Sequence, residues 1–226
     1  MPVAVKICGL CDEAAVDAAV SGGVRFVGFV FFPPSPRAVL IEQATALAAR
    51  VPDGVQRVGL VVDADDEQLQ AITTGVPLDM LQLHGREPPA RVAAIRTRFG
   101  LPIMKAVPVA EAVDLARADP YLGVADWLLF DGRPPPGASR PGGNAAAFDW
   151  TLLAGRSWSV PWLLAGGLDT GNVARAVCES GAIAVDVSSG VEDAPGHKDV
   201  RLIASFLMAV AAIEPRASGT SVTRTR

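Results

Sequence analysis

The sequence predicts an α/β fold, a closed (βα)8 TIM barrel formed as a single domain over residues 1–213. Three observations carry this. Short apolar runs alternate with amphipathic, helix-like stretches eight times along those residues. The runs are continuously apolar, as expected of parallel strands covered by helices on one side and by core on the other. No G-x-G-x-x-G follows the first run, which argues against the competing doubly wound sheet.

Strands are expected over 3–8, 26–31, 58–62, 80–83, 103–106, 127–131, 162–165 and 184–187. Helices are expected over 12–21, 41–50, 66–74, 89–99, 109–117, weakly after Phe148, then over 172–180 and 200–213. Asp12 opens a run with Ala15, Val16, Ala19 and Val20 at helical spacing, and Gly22-Gly23 supplies its stop. Thr170 or Asp169 is expected to cap the helix carrying Val173, Ala176 and Val177, with Gly181 after its end. The Gly/Pro-rich stretch 132–143 is the one long loop, of a length often given to active-site lids. Residues 214–226 are polar and without periodicity, and a disordered tail is expected there.

Composition narrows the class. Half of the residues are hydrophobic and 19% are charged, which a chain that stays unfolded does not show. A net charge of -4 with scattered Lys and Arg gives no field for nucleic acid. No apolar run approaches the roughly 20 residues needed to span a bilayer, so no membrane is expected. The opening Pro2-Val3-Ala4-Val5-Lys6 does not read as a signal peptide. Three cysteines, an odd number, argue for a reducing compartment, and the chain is expected to be cytoplasmic.

In such barrels the chemistry lies where strands end and βα loops begin. Cys8 ends the first strand, where it is either a small buried hydrophobe or a reactive thiol. With Cys11 it also forms a C-x-x-C, which competes as a redox dithiol or half of a zinc site. The zinc reading lacks ligands at partner spacing, since only Cys178, His84 and His197 are available. Cys11 is expected to start the first helix instead, and His197 to lie at the surface. Asp131 terminates an apolar strand; it is either a turn former with Gly132 or a carboxyl whose apolar surroundings raise its pKa for use as a general acid. Gly166-Gly167 after the seventh strand and Ser188-Ser189-Gly190 after the eighth expose backbone N–H groups, as the recurrent phosphate site of these barrels does. Arg37 sits in a proline-stiffened loop after the second strand, either solvated or binding a carboxylate or phosphate. Gln82 and His84 are two apart and share a strand face, so both are expected to look into the barrel; His84 either serves the site or is a structural residue that ties the fourth loop together.

The strings Lys6-Ile7-Cys8-Gly9, Gly28-Phe29-Val30-Phe31, Ser35-Pro36-Arg37, Gln82-Leu83-His84-Gly85, Phe130-Asp131, Phe148-Asp149-Trp150, Ala165-Gly166-Gly167-Leu168 and Asp186-Val187-Ser188-Ser189-Gly190-Val191-Glu192 together resemble the phosphoribosylanthranilate isomerase family, in that order. The resemblance covers nearly all of residues 3–212. It implies an aldose–ketose (Amadori) rearrangement of a phosphoribosyl anthranilate in tryptophan biosynthesis, with no metal and no organic cofactor. It implies Asp131 as the general acid at the furanose ring oxygen and Cys8 as the base at C2. A thiol near about 8.5 must then move down or act through its thiolate fraction, and an aspartate near about 3.9 must move up. Arg37 matches the residue that holds the anthranilate carboxylate. Gly166, Gly167, Ser189 and Gly190 match the phosphate cradle, and Gln82, His84 and Asp186 match substrate-contacting positions. The expected partner is that small-molecule substrate, bound by a monomer or homodimer.

The chain departs from the family at Gly142-Gly143-Asn144-Ala145, where a fourth-position glycine is usual; alanine there restricts positive φ. The tail past Glu214 is also longer than the pattern. Rival readings are other phosphate-binding barrels and a non-catalytic sensor of the same ligands. A ribulose-phosphate epimerase wants several metal-binding His and Asp residues at strand ends, and His84 is the one such histidine. An indole-glycerol-phosphate synthase could use Lys6 and Lys105 but leaves Cys8 and Asp131 idle. A sensor needs neither of those two.

Overall fold

The structure, a computed structural model, describes residues 2–133, 137 and 147–213. Eight parallel strands close in sequence order: β1 (Ala4–Cys8), β2 (Phe26–Val30), β3 (Gln56–Val61), β4 (Met80–Leu83), β5 (Ile103–Val109), β6 (Trp127–Gly132), β7 (Trp162–Leu164) and β8 (Ala184–Val187), with β8 pairing back to β1. The helices outside are α1 (Glu13–Ser21), α2 (Ile41–Ala48), α3 (Asp66–Gly75), α4 (Pro89–Phe99), α5 (Val173–Ser180) and α6 (Val200–Ala211). The predicted barrel is the observed one. The sixth-loop segment 142–145 and the tail 214–226 lie outside the described residues.

Local chemistry sets the element ends. Asp12 caps α1, its carboxylate accepting from Ala15 N at 2.9 Å, and the Gly22 N–H closes the helix onto Ala18 O. The fifth crossover is not the expected α-helix over 109–117 but a 3-10 helix, Ala112–Tyr121. Two causes are visible. β5 runs on to Val109 because it pairs with β6 as far as Gly132, and Asp114 accepts from both Ala110 N and Glu111 N, tightening the first turn. The crossover after Phe148 is likewise a short 3-10 helix, Trp150–Leu153. α5 starts later than expected and neither Thr170 nor Asp169 caps it. The Asp169 carboxylate instead accepts from Gly171 N, and its own N–H donates to Asn172. A small antiparallel hairpin, β9 (Glu192–Ala194) with β10 (His197–Lys198), follows β8 and was not anticipated.

Residues two apart on a strand share a face. One face packs Phe26, Val58, Met80, Met104, Leu129, Leu163 and Ala184 into the barrel interior. Two positions further along, the same inward faces carry Lys6, Gly28, Gln82, Asp131 and Asp186. The opposite face packs Ile7, Val27, Leu81, Leu128 and Val185 against the helices. The interior thus changes from apolar to ionic in the direction of the strands' C-terminal ends.

Candidate active site

On β1, Lys6 and Cys8 point the same way. Lys6 is fully buried, and its Nζ donates to Asp186 Oδ1 on the neighbouring β8 at 2.9 Å. Gly28 makes room for the meeting of β1 side chains: a Cβ there would lie 3.1 Å from both Cys8 Sγ and Lys6 Nζ. Burial disfavours the Lys6 ammonium, but Asp186 and Cys8 outweigh it and hold its pKa above the ordinary lysine value. Burial pushes the Cys8 thiol up, opposed chiefly by the Lys6 charge. Of the two routes expected for this thiol, a lowered pKa and a thiolate fraction, the first is corrected and the second stands, with Lys6 enlarging that fraction. Asp186 is also pushed up by burial, against the pull of Lys6 and with added repulsion from Asp131.

Across the barrel, Gln82 and His84 both look inward, as their spacing predicted. Gln82 Nε2 donates to His84 Nδ1 at 2.8 Å, which leaves the ring proton on Nε2, facing Asp131 Oδ2 at 3.2 Å. Gln82 Oε1 is buried and has no donor among the described residues. The purely apolar setting expected for Asp131 is corrected: its carboxyl ends an apolar strand but abuts an imidazole.

Arg37 is 4% exposed rather than solvated. Its Nε and Nη2 donate to the two carboxylate oxygens of Glu192 at 2.6 and 2.8 Å. Lys198 Nζ donates to the same carboxylate at 2.6 Å and to Ser188 O at 3.1 Å. Ser188 Oγ in turn donates to the carbonyl of Cys8 at 2.9 Å. Arg37 and Lys198 hold the Glu192 carboxyl below its usual range despite burial.

The two glycine loops meet. Gly166 and Gly167 take φ of +90° and +65°, backbone that favours glycine, and Asn172 Nδ2 donates to Gly167 O at 2.8 Å. Gly190 lies directly against the Leu168 carbonyl, where any Cβ would collide. Ser189 and Gly190 open a single 3-10 turn, Ser189–Val191.

Other expectations fare differently. Cys11 does not begin α1; Asp12 does that capping. The Cys11 thiol lies within 3.4 Å of the carbonyls of Gly9 and Arg37, tying the first loop to the second. Cys8 and Cys11 are not joined to each other, and burial raises the pKa of Cys11 as well, the opposite of a redox nucleophile's environment. His197 is exposed, as expected, beside Asp193. Lys105 faces outward from the barrel, buried against Glu87 at 2.8 Å. Among the described residues no three of His, Cys, Asp or Glu are grouped as a metal ion needs, and no helix is long and apolar enough to cross a membrane. Sequence reasoning gave Lys6 no role beside Cys8, although the two-residue spacing could have found it. Lys198 carried no signal, since only the unanticipated hairpin brings it to the site.

A closed parallel barrel carrying a buried thiol and a carboxyl near its C-terminal strand ends, with two glycine loops in contact, has the layout of a (βα)8 enzyme acting on a small molecule. Residues 5–209 match the family described as N-(5'phosphoribosyl)anthranilate (PRA) isomerase, and the chain belongs to that family. It is 58% identical over 209 residues to the N-(5'-phosphoribosyl)anthranilate isomerase of Paramagnetospirillum magneticum, covering 92% of this chain and 97% of that one. The crystal structure of phosphoribosyl anthranilate isomerase from Thermotoga maritima superposes with a TM-score of 0.82 at 36% identity, over 92% of this chain and 98% of the other. A phosphoribosyl anthranilate isomerase in complex with reduced 1-(o-carboxyphenylamino)-1-deoxyribulose 5-phosphate superposes with a TM-score of 0.78 at 34% identity, over the same shares.

Proposed function

We propose that the chain isomerises N-(5-phosphoribosyl)anthranilate to 1-(2-carboxyphenylamino)-1-deoxyribulose 5-phosphate, with Asp131 as general acid and Cys8 as general base. The observation that carries the roles is the pairing of unlike neighbours on non-adjacent strands. Cys8 on β1 has an ammonium beside it, and Asp131 on β6 has an imidazole.

Asp131 gives a proton to the furanose oxygen as the C1–O bond breaks and the anilino nitrogen forms C=N. The Cys8 thiolate then takes the C2 proton, leaving an enolamine. The enolamine becomes the ketone as O2 loses a proton and C1 gains one, so protons balance without metal or organic cofactor. The thiolate is the scarce species, because the thiol's pKa lies above its ordinary value. Lys6, which touches no bond that changes, is a positioning residue that raises that fraction.

Arg37 takes the anthranilate carboxylate, while Gln82, His84 and Asp186 line the sugar. The N–H groups of Gly166, Gly167, Ser189 and Gly190 take the phosphate, where positive-φ glycines let the backbone approach an anion closely. The reading includes a cytoplasmic enzyme that works as a monomer or homodimer. Purified protein should consume the fluorescent phosphoribosyl anthranilate in a continuous assay, and Cys8→Ala and Asp131→Asn should do so far more slowly. A folded parent that leaves the fluorescence unchanged refutes the assignment.

A further inference from the structure

We propose that Glu192 and Lys198 are positioning residues that make Arg37 a selective receptor for a carboxylate, and so set the preference for aromatic amines that carry one. The inference rests on the assignment of Arg37 to that carboxylate.

A buried guanidinium bonded through two N–H groups to one carboxylate is well oriented. Its charge, however, is cancelled. An Arg37–Glu192 pair on its own offers no net attraction to a second anion, and the glutamate oxygens oppose one. Lys198 changes that sum. Its Nζ lies 2.6 Å from Glu192 Oε1 and is itself buried, so the three side chains together carry one net positive charge beside Cys8. Glu192 thus fixes the plane of Arg37, and Lys198 restores the charge that this fixing removes.

The hairpin exists to bring the two together. Glu192 opens β9 and Lys198 ends β10, and a turn of two residues, Pro195 and Gly196, lies between strands that pair antiparallel. Gly196 in that turn has φ of +86° and lies against the Pro36 carbonyl, so closely that a Cβ would collide. Its N–H donates to Glu192 Oε2 at 3.3 Å. The hairpin is thereby seated on the same proline-stiffened loop that carries Arg37. None of these contacts is needed to move a proton at C2 or at the ring oxygen.

The readout is a ratio: kcat/KM for phosphoribosyl anthranilate divided by kcat/KM for phosphoribosyl aniline, which lacks the carboxylate. Any effect of Lys198 on the nearby thiol acts on both substrates and cancels. Lys198→Met should lower the ratio at least tenfold, through KM of the carboxylated substrate. The double variant Lys198→Met/Glu192→Gln returns the cluster to a net charge of one and should recover at least part of that loss. A purely structural role lowers both substrates together; an unchanged ratio in a folded Lys198→Met overturns the inference. If Lys198→Met does not fold, Lys198→Gln, which keeps a donor for Glu192 but no charge, decides: a ratio at least tenfold below the parent supports the inference, and an unchanged ratio overturns it. A parent inactive on both substrates refutes the isomerase assignment, and a parent equally active on both refutes the role of Arg37.

Discussion

The two sides of the barrel mouth are built from different materials. Around Cys8, strands β1 and β8, the loop after β2 and the β9–β10 hairpin supply ions: Lys6 with Asp186, and Arg37 and Lys198 with Glu192. Around Asp131, strands β4 and β6 supply a chain of side-chain hydrogen bonds, Gln82 to His84 to the carboxyl. The difference follows from what each group must do. A buried thiol is stable as the neutral form, so a base made from it needs a cation at hand. A carboxyl that must give up its proton and take it back is served by a hydrogen-bonding partner that orients it. The sides are not isolated, because Asp131 and His84 both act electrostatically on Asp186, the counter-ion of Lys6.

If this division of labour holds, the largest effects fall on the two proton carriers. Cys8→Ala should lower turnover by about 10²–10⁴-fold, and Asp131→Asn by on the order of 100-fold with substrate binding largely kept. Near-normal turnover in either variant, measured by the fluorescence assay, removes that residue from the mechanism.

A third buried pair sharpens the comparison because it has no reacting group beside it. Lys105 on the outer face of β5 donates to Glu87 and to the carbonyls of Leu83 and Gly85, bracing the loop that carries His84. Breaking it by Lys105→Met should cost about 3–5 kcal/mol of stability. The carboxyl of Glu87 is pushed up by burial, but Lys105 and backbone donors outweigh this and hold it below the usual range. Its contribution is therefore full above the unfolded glutamate pKa and is lost as pH falls through the folded one. Urea titrations at pH 7 and pH 4 should show the Lys105→Met deficit shrinking in acid. A deficit equal at both values contradicts the pair's role.

Smaller effects separate recognition from chemistry. Arg37→Ala should weaken binding of the carboxylated substrate by roughly 1.5–3 kcal/mol, and Arg37→Lys should restore only part. Unchanged Michaelis constants in both would remove Arg37 from recognition. Cys11→Ser should change the barrier by under about 1 kcal/mol, since a hydroxyl can still donate to a carbonyl of Gly9 or Arg37. A dithiol mechanism needs both sulfurs, so equal losses at Cys8 and Cys11 would revive it.

How much of this was legible follows from the range of each interaction. Strand ends are local: Cys8, Asp131 and the Gly166-Gly167 turn announce themselves by an apolar run that stops, and the structure keeps each at a C-terminal strand end. The inward turn of Gln82 and His84 was equally readable, because period two needs no tertiary knowledge. The 3-10 crossover at Ala112–Tyr121 was misread because Asp114 and an extended β5 reset a pattern whose apolar positions fit either helix. Partners were not legible at all. Lys6 and Asp186 are 180 residues apart, as are Ser188 and the Cys8 carbonyl. The bonding of Arg37 to Glu192 depends on a hairpin packed against a distant proline loop.

The claim that Cys8 is the base and Lys6 its counter-ion is tested most directly by the pH dependence of kcat/KM for phosphoribosyl anthranilate in the parent, Lys6→Met and His84→Gln. In the free enzyme the rising limb reports the essential base. Because burial raises the thiol and Lys6 opposes it, the limb in the parent should centre above the ordinary thiol pKa. In Lys6→Met it should move further alkaline, since the opposing cation is gone, whereas in His84→Gln it should stay where it is. A limb centred below the ordinary thiol value, or one that Lys6→Met leaves in place, would contradict the account.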